Sequence, residues 1–239
     1  MATKIVVDAG HNGLGDPGAV YNGRRESDDA LRLALAVGEI LSRGGYDVDY
    51  TRTGNISQSV AQKAQLANEA GADLFVSIHR NMGTYPGQYH GVQTLLYDLN
   101  GLKLTMAENI NKNLEGLGFR NINVDARPNL AVLRRTKMPA LLVEAGFLDS
   151  EKDNRLFDDR FDEIAQAIAD GIMDTLTDAQ AHADGAGPAA PAPSPGAPSS
   201  PAERPLYRVQ VGAFYNLQNA VDLEQELKRM GYNTWIVTV

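Results

Sequence analysis

Residues 4–51 read KIVVDAGHNGLGDPGAVYNGRRESDDALRLALAVGEILSRGGYDVDYT, and this stretch decides the fold. Lys4–Asp8 is a short β-branched apolar run, followed by a glycine-rich loop. From about Ser27 to Arg43 apolar residues recur every three or four positions, the signature of an amphipathic helix. Gly44 and Gly45 stop it, as C-terminal glycines do. Tyr46–Thr51 then reads as a second strand. The pattern repeats at once: Ser59–Ala70 is helical, Gly71 stops it, and Leu74–Ile78 is a third strand. A β-α-β-α-β opening of this kind implies a largely parallel sheet with helices on both faces. Further strands are expected at Val92–Tyr97, Leu130–Leu133 and Ala140–Glu144, with helices at Leu102–Leu117 and Phe161–Leu176. The expected architecture is a three-layer α/β domain over residues 1–176 with a mostly parallel sheet of about six strands.

Composition changes near Thr177. Seven of the eleven prolines lie between Pro188 and Pro205, among Ala, Gly and Ser. Such a stretch buries too little apolar surface to offset its ordering entropy and reads as an extended linker, 177–205. Residues 206–239 then form a small β-α-β tail, with strands at Tyr207–Val211 and Thr234–Val239 around a helix at Leu217–Met230. The whole chain carries a formal charge of −8 and no concentrated basic patch, which argues against a nucleic-acid binder. Cysteine is absent, so disulfides, iron–sulfur clusters and thiolate metal sites are excluded. No run approaches the roughly 18 apolar residues of a membrane span. The amino terminus has no basic, apolar secretion leader. The expectation is a product made in the cytoplasm, with no membrane insertion and no nucleic-acid partner.

A transition metal in this chain must sit on histidine and carboxylate, and there are four histidines. His11 follows the first strand, His79 ends the third, and Glu144 ends the apolar strand Leu141-Leu142-Val143. In a parallel sheet these strand ends share one edge with the starts of the following helices, where active sites gather. Glu26 opens the first helix on the same stripe as Ala30, Leu33, Val37, Ile40 and Leu41. Its carboxylate therefore heads the buried face, which is costly unless it is paired or metal-bound. The competing readings are ordinary ones. Glu26 could be a first-turn acid favoured by the helix dipole, His79 a hydrogen-bonded strand-end histidine, and Glu144 a partner of Arg134 or Arg135. His90, in the loop Tyr85–Gly91, and His182, in the linker, are poorer ligand candidates.

Two histidines and one glutamate leave a fourth position on zinc for water, the arrangement of catalytic sites. Glu144 would then shuttle the proton. Other chemistries fit less well. The loop after the first strand lacks the Lys-Ser/Thr and the spacing of phosphate-cradling loops. There is no Gly-x-Ser-x-Gly elbow, and a paired-carboxylate glycosidase would leave both histidines unexplained.

Val6-Val7-Asp8-Ala9-Gly10-His11, Glu26 at a helix head, Ser77-Ile78-His79-Arg80-Asn81 and Val143-Glu144-Ala145-Gly146-Phe147-Leu148 occur in an order that resembles the zinc-dependent N-acetylmuramoyl-L-alanine amidases. These are cell-wall lytic enzymes of bacteria and their phages. The resemblance covers about residues 3–176. It implies a zinc ion held by His11, Glu26 and His79, with Glu144 as catalytic acid/base. The implied substrate is peptidoglycan, cut between N-acetylmuramic acid and the L-alanine of the stem peptide. The interval 98–129 is too short for the autoinhibitory insertion of the division amidases. With no leader peptide, release by holins or by lysis is expected, as for a phage endolysin or an autolysin.

The tail, Tyr207-Arg208-Val209-Gln210-Val211-Gly212-Ala213-Phe214 and its helix, is similar to the first half of SPOR-type domains, which bind glycan strands. With one half present, pairing between two tails would complete the sheet and make a homodimer. Two further readings follow from the residues: a zinc hydrolase of another peptidoglycan bond, and a non-catalytic cell-wall-binding protein.

Overall fold

A computed structural model describes residues 2–184, 217–229 and 234, in two compact units, 1–175 and 176–239. In chain order the first unit opens with β1 (Lys4–Ala9), a small hairpin of β2 (Val20–Tyr21) and β3 (Arg24–Arg25), and α1 (Glu26–Arg43). There follow β4 (Asp47–Tyr50), α2 (Val60–Glu69), β5 (Leu74–Asn81), β6 (Val92–Leu96) and α3 (Gly101–Gly116). Then come β7 (Asn121–Ala126), α4 (Ala131–Arg135), β8 (Ala140–Phe147), α5 (Glu151–Asp159) and α6 (Phe161–Asp184), which runs on past residue 175.

Six strands form one sheet in the order β4-β1-β5-β8-β6-β7. β4, β1, β5 and β8 run parallel; β6 is antiparallel to β8 and parallel to β7. The expected mostly parallel, six-stranded α/β architecture is thus the observed one. The central strands are covered on both faces, so they read as continuous apolar runs. Ile5, Val6 and Val7 of β1 and Phe75, Val76 and Ile78 of β5 are fully buried.

One face packs against α2 and α4 through Val6, Phe75, Leu95 and Leu142, with Ala67 and Val132 from the helices. The other packs against α1 and α3. Of the apolar stripe of α1, Ala30, Leu33, Val37 and Leu41 are wholly buried, with Ala34 beside them, and Ile40 is half-buried. α2 starts with a reciprocal cap in which Ser59 and Gln62 exchange side-chain and backbone hydrogen bonds. α6 lies close on α3: a Cβ at Gly171 would come within 2.9 Å of the Ile110 backbone.

Four expectations change. Leu130–Leu133 is not a strand; Leu130 caps the short helix α4. A four-residue apolar run has no period of its own, and here its Val132 and Leu133 fill the core beneath Leu142. The sixth strand is instead β7, an edge strand in the interval 98–129, after the helix expected at Leu102–Leu117. α5 is an additional helix. α6 continues to Asp184, past the expected end at Leu176, because 177–184 is rich in Ala and holds neither Gly nor Pro. His182 therefore lies on a helix rather than in the linker.

In the second unit α7 (Leu217–Arg229) forms where the tail helix is expected. The expected strands Tyr207–Val211 and Thr234–Val239 lie outside the described residues, Thr234 excepted, as does the tail pairing that would make a dimer. Among the described residues no helix is long and apolar enough to cross a membrane.

Candidate metal centre

β1, β5 and β8 are neighbours with the same direction, so their C-terminal ends deliver His11, His79 and Glu144 to one edge. The start of α1 brings Glu26 to the same place. Side-chain nitrogen and oxygen atoms of His11, Glu26 and His79 lie within 4.8 Å of one another, the single group of three or more potential metal-binding side chains among the described residues. Glu26 Oε1 is 2.8 Å from His79 Nδ1, and Oε2 is 3.0 Å from His11 Nε2. The backbone N–H groups of Arg80 and Ala19 donate to the same two oxygens. Glu26 is 5% exposed, as its place on the buried stripe of α1 requires.

Backbone shape makes this convergence possible. A Cβ at Gly10 would lie 2.6 Å from the His79 ring. Gly18 has φ +68°, and a Cβ there would meet both the His11 ring and Glu26 Oε2. His11 itself has φ +57°, an uncommon conformation for a non-glycine residue. It is held there by the buried Arg52, whose guanidinium donates to the carbonyls of Ala9, Gly10, His11 and Ser27 at 2.7–3.1 Å. Lys63 donates to the Ala9 carbonyl as well and pairs with the buried Asp8 at 2.8 Å. Asp8 also accepts from Thr51 and Ser77.

Asp16 sits 3.0 Å from His11 Nδ1, the ring nitrogen facing away from Glu26. A carboxylate in that place fixes the tautomer and orientation of a ligating imidazole. On the far side of Glu26, Arg80 is fully buried. It pairs with Asp29 at 2.7 Å, donates to Asn154 and lies 4.2 Å over the Phe157 ring. Arg24 joins Asp29 to Asp158, so α1, β5 and α5 are tied together behind the site.

The electrostatics follow from this packing. Burial pushes the Glu26 carboxyl up, but its contacts with His11 and His79 outweigh that and hold it well below the carboxylate range. Burial pushes His11 down, and Glu26 with Asp16 more than reverses it. Glu144 has no such partner. Its Oε2 is inaccessible and makes no hydrogen bond among the described residues, and burial pushes its carboxyl up to about 7. It lies beside His79 in the strand register. The ion pair to Arg134 or Arg135 is not formed; Arg134 donates to the carbonyls of Pro128 and Asn129. His90 is outside the cluster.

The donor set fits a zinc ion: two imidazoles and a carboxylate within reach of one centre, one imidazole backed by an outer carboxylate, and an orphaned acid alongside. Sequence reading named these four residues but missed Arg52, Lys63, Asp16 and Arg80. Only the Asp16 spacing, five residues after His11 in the same loop, offered a local signal.

Comparison with known proteins agrees with this geometry. The N-acetylmuramoyl-L-alanine amidase family matches residues 5–174, and the SPOR domain matches residues 175–238. The chain is 30% identical over 240 residues to the sporulation-specific N-acetylmuramoyl-L-alanine amidase of Bacillus subtilis, covering 98% of this chain and 84% of that one. It is 34% identical over 185 residues to the endolysin of Bacillus phage SPP1, covering 74% and 67%. Among solved structures, an N-acetylmuramoyl-L-alanine amidase from Clostridium difficile 630 superposes with a TM-score of 0.68 at 28% identity, covering 74% of this chain and 97% of that one. The catalytic domain of the amidase CwlV from Bacillus (Paenibacillus) polymyxa gives 0.66 at 32%, covering 73% and 98%.

Proposed function

Because the chain belongs to the N-acetylmuramoyl-L-alanine amidase family, we propose that it cleaves peptidoglycan with His11, Glu26 and His79 holding a zinc ion and Glu144 moving the proton. The enzyme hydrolyses the amide between N-acetylmuramic acid and the L-alanine of the stem peptide. The observation that carries the site assignment is the convergence of three ligand atoms beside an acid whose inaccessible Oε2 has no hydrogen-bond partner among the described residues.

When bound, zinc supplies Lewis acidity toward the scissile carbonyl and toward water. Glu26 spans the two histidines through its two oxygens and is itself steadied by the Arg80 and Ala19 N–H groups. Asp16 orients His11, and Arg52 keeps the His11 backbone in place. Glu144, with no hydrogen-bond partner on Oε2 among the described residues, takes a proton from the attacking water and returns it to the departing L-alanine nitrogen. Desolvation of its carboxyl disfavours the charged form, so both protonation states are within reach near neutrality. The segment matching the SPOR domain would hold the enzyme on glycan strands and raise the local substrate concentration.

The test is purified peptidoglycan with and without a chelator, following turbidity and new N-terminal alanine. Chelator-sensitive release of alanine amines, restored by zinc, is expected. Chelator-insensitive release would overturn the metal assignment, and a new sugar amine or an internal peptide amine would move the cut to another bond.

A further inference from the structure

We propose that Gln93 and Asn123 form an amide-recognising subsite of this active site, binding a secondary amide of the muramyl-peptide next to the bond that is cut; the inference rests on the active-site reading above. Its basis is the register of the sheet. Glu144 pairs with His79 on one side and with Gln93 on the other, and Gln93 pairs with Asn123. Paired residues of neighbouring strands project to the same face. His79, Glu144, Gln93 and Asn123 therefore form one polar row across β5, β8, β6 and β7. The reversed direction of β6 and β7 allows this, because it brings their N-terminal ends to the edge where β5 and β8 finish.

The row lies on the face that α2 and α4 cover, but beyond their reach. Leu142 and Leu95, two residues along from Glu144 and Gln93, are in the core under α4. Gln93 is half-buried and Asn123 exposed. The two side chains bond to each other, Gln93 Nε2 donating to Asn123 Oδ1 at 2.6 Å. That leaves Gln93 Oε1 as an acceptor and the Asn123 amide N–H groups as donors, neither with a partner among the described residues. Exchanging O and N in both amides leaves the same complement of one carbonyl and one NH₂. One free acceptor beside one free donor is the complement of a secondary amide.

Strands are about 4.8 Å apart and an extended peptide rises about 3.3 Å per residue. Gln93 and Asn123 thus stand one and two strands beyond Glu144, within the span of the first residues flanking the scissile bond. Two parts of the substrate carry the required amide: the peptide groups of the stem, and the N-acetyl group of the sugar.

The experiment measures kcat/KM of the zinc-loaded full chain, wild type and the variants Gln93→Ala and Asn123→Ala. The substrates are muramyl-monopeptide to muramyl-tripeptide, each with and without the N-acetyl group. The expected result is a roughly tenfold shrinkage, in both variants, of the wild type's preference for the substrate carrying the recognised amide, the worth of about one neutral hydrogen bond. Shrinkage along the stem series assigns a peptide group, and shrinkage along the acetylation series assigns the sugar. Equal losses on every substrate, or wild-type preferences retained by both variants, overturn the proposal while leaving the active site standing. A wild type that cleaves none of the substrates overturns the active-site reading and this inference together. Asn123 is an exposed edge residue, so its variant remains informative if removal of Gln93 impairs folding.

Discussion

Glu144 and Asp8 are both carboxylates at strand ends, Asp8 buried and Glu144 half-buried with its Oε2 inaccessible, and their partners separate their roles. Asp8 is matched by Lys63, Thr51 and Ser77, whereas Glu144 Oε2 has no hydrogen-bond partner among the described residues. An acid with an inaccessible, unpartnered oxygen costs stability and persists where it is used. Glu144→Gln should lower kcat by about 10²–10⁴, with zinc content measured by metal analysis unchanged. Loss of zinc in that variant would make Glu144 a ligand. Burial pushes the Asp8 carboxyl up, and Lys63 with the two hydroxyls overcomes this and leaves it below its ordinary value. A depressed carboxylate stabilises the fold above its unfolded pKa of about 3.9, and that stability is lost as pH falls toward the folded value. Asp8→Asn strands the Lys63 charge and should cost about 3–5 kcal/mol at pH 7. The gap in denaturation midpoint between variant and wild type should narrow below about pH 4. A constant gap across the acid range would mean that Asp8 is not ionised in the fold.

At the scale of elements, the site depends on how the loop after β1 is tied to the rest. Arg52 follows β4 in sequence, yet it collects carbonyls from the end of β1, from His11 and from the first turn of α1. A planar guanidinium spans four acceptors in a fixed fork; an ammonium is a single point of donation. Arg52→Lys should weaken zinc binding by about 10–100-fold, as the loss of outer-shell supports does. Competition against a chromophoric chelator would read this, and the circular dichroism spectrum should stay native. Undiminished affinity would reduce Arg52 to a packing role. The helices show the limits of pattern. α1 was legible because a stripe over five turns fixes both its period and its buried face. α4 was not, since five residues are too few to show a period, and β7 hid as a short edge strand with mixed residues.

At the scale of the whole chain, the amidase and SPOR matches divide the sequence near residue 175. If the second part holds the enzyme on glycan, excess peptide-free glycan strands should slow the cleavage of intact sacculi by the full-length protein. Cleavage of a soluble muramyl-tripeptide should be unaffected. Equal inhibition of both reactions would place glycan binding at the active site itself, and inhibition of neither would leave the tail without that function.

The sequence by itself determined the α/β class, the shared edge of β1, β5 and β8, and the presence there of His11, Glu26, His79 and Glu144. These follow from local facts: apolar period, glycine stops, and the position of a polar residue at the end of an apolar run. Tertiary structure alone decided which side chains hold the four in place. Arg52, Lys63 and Arg80 act on partners about 40 to 70 residues away, and Asp29 is joined to β5 and α5 only through the folded core. It also decided that β6 and β7 run against β8, which carries Gln93 and Asn123 to the edge where His79 and Glu144 lie. Hydrogen-bond partners and strand direction are pairings between distant segments, and no period within a single segment records them.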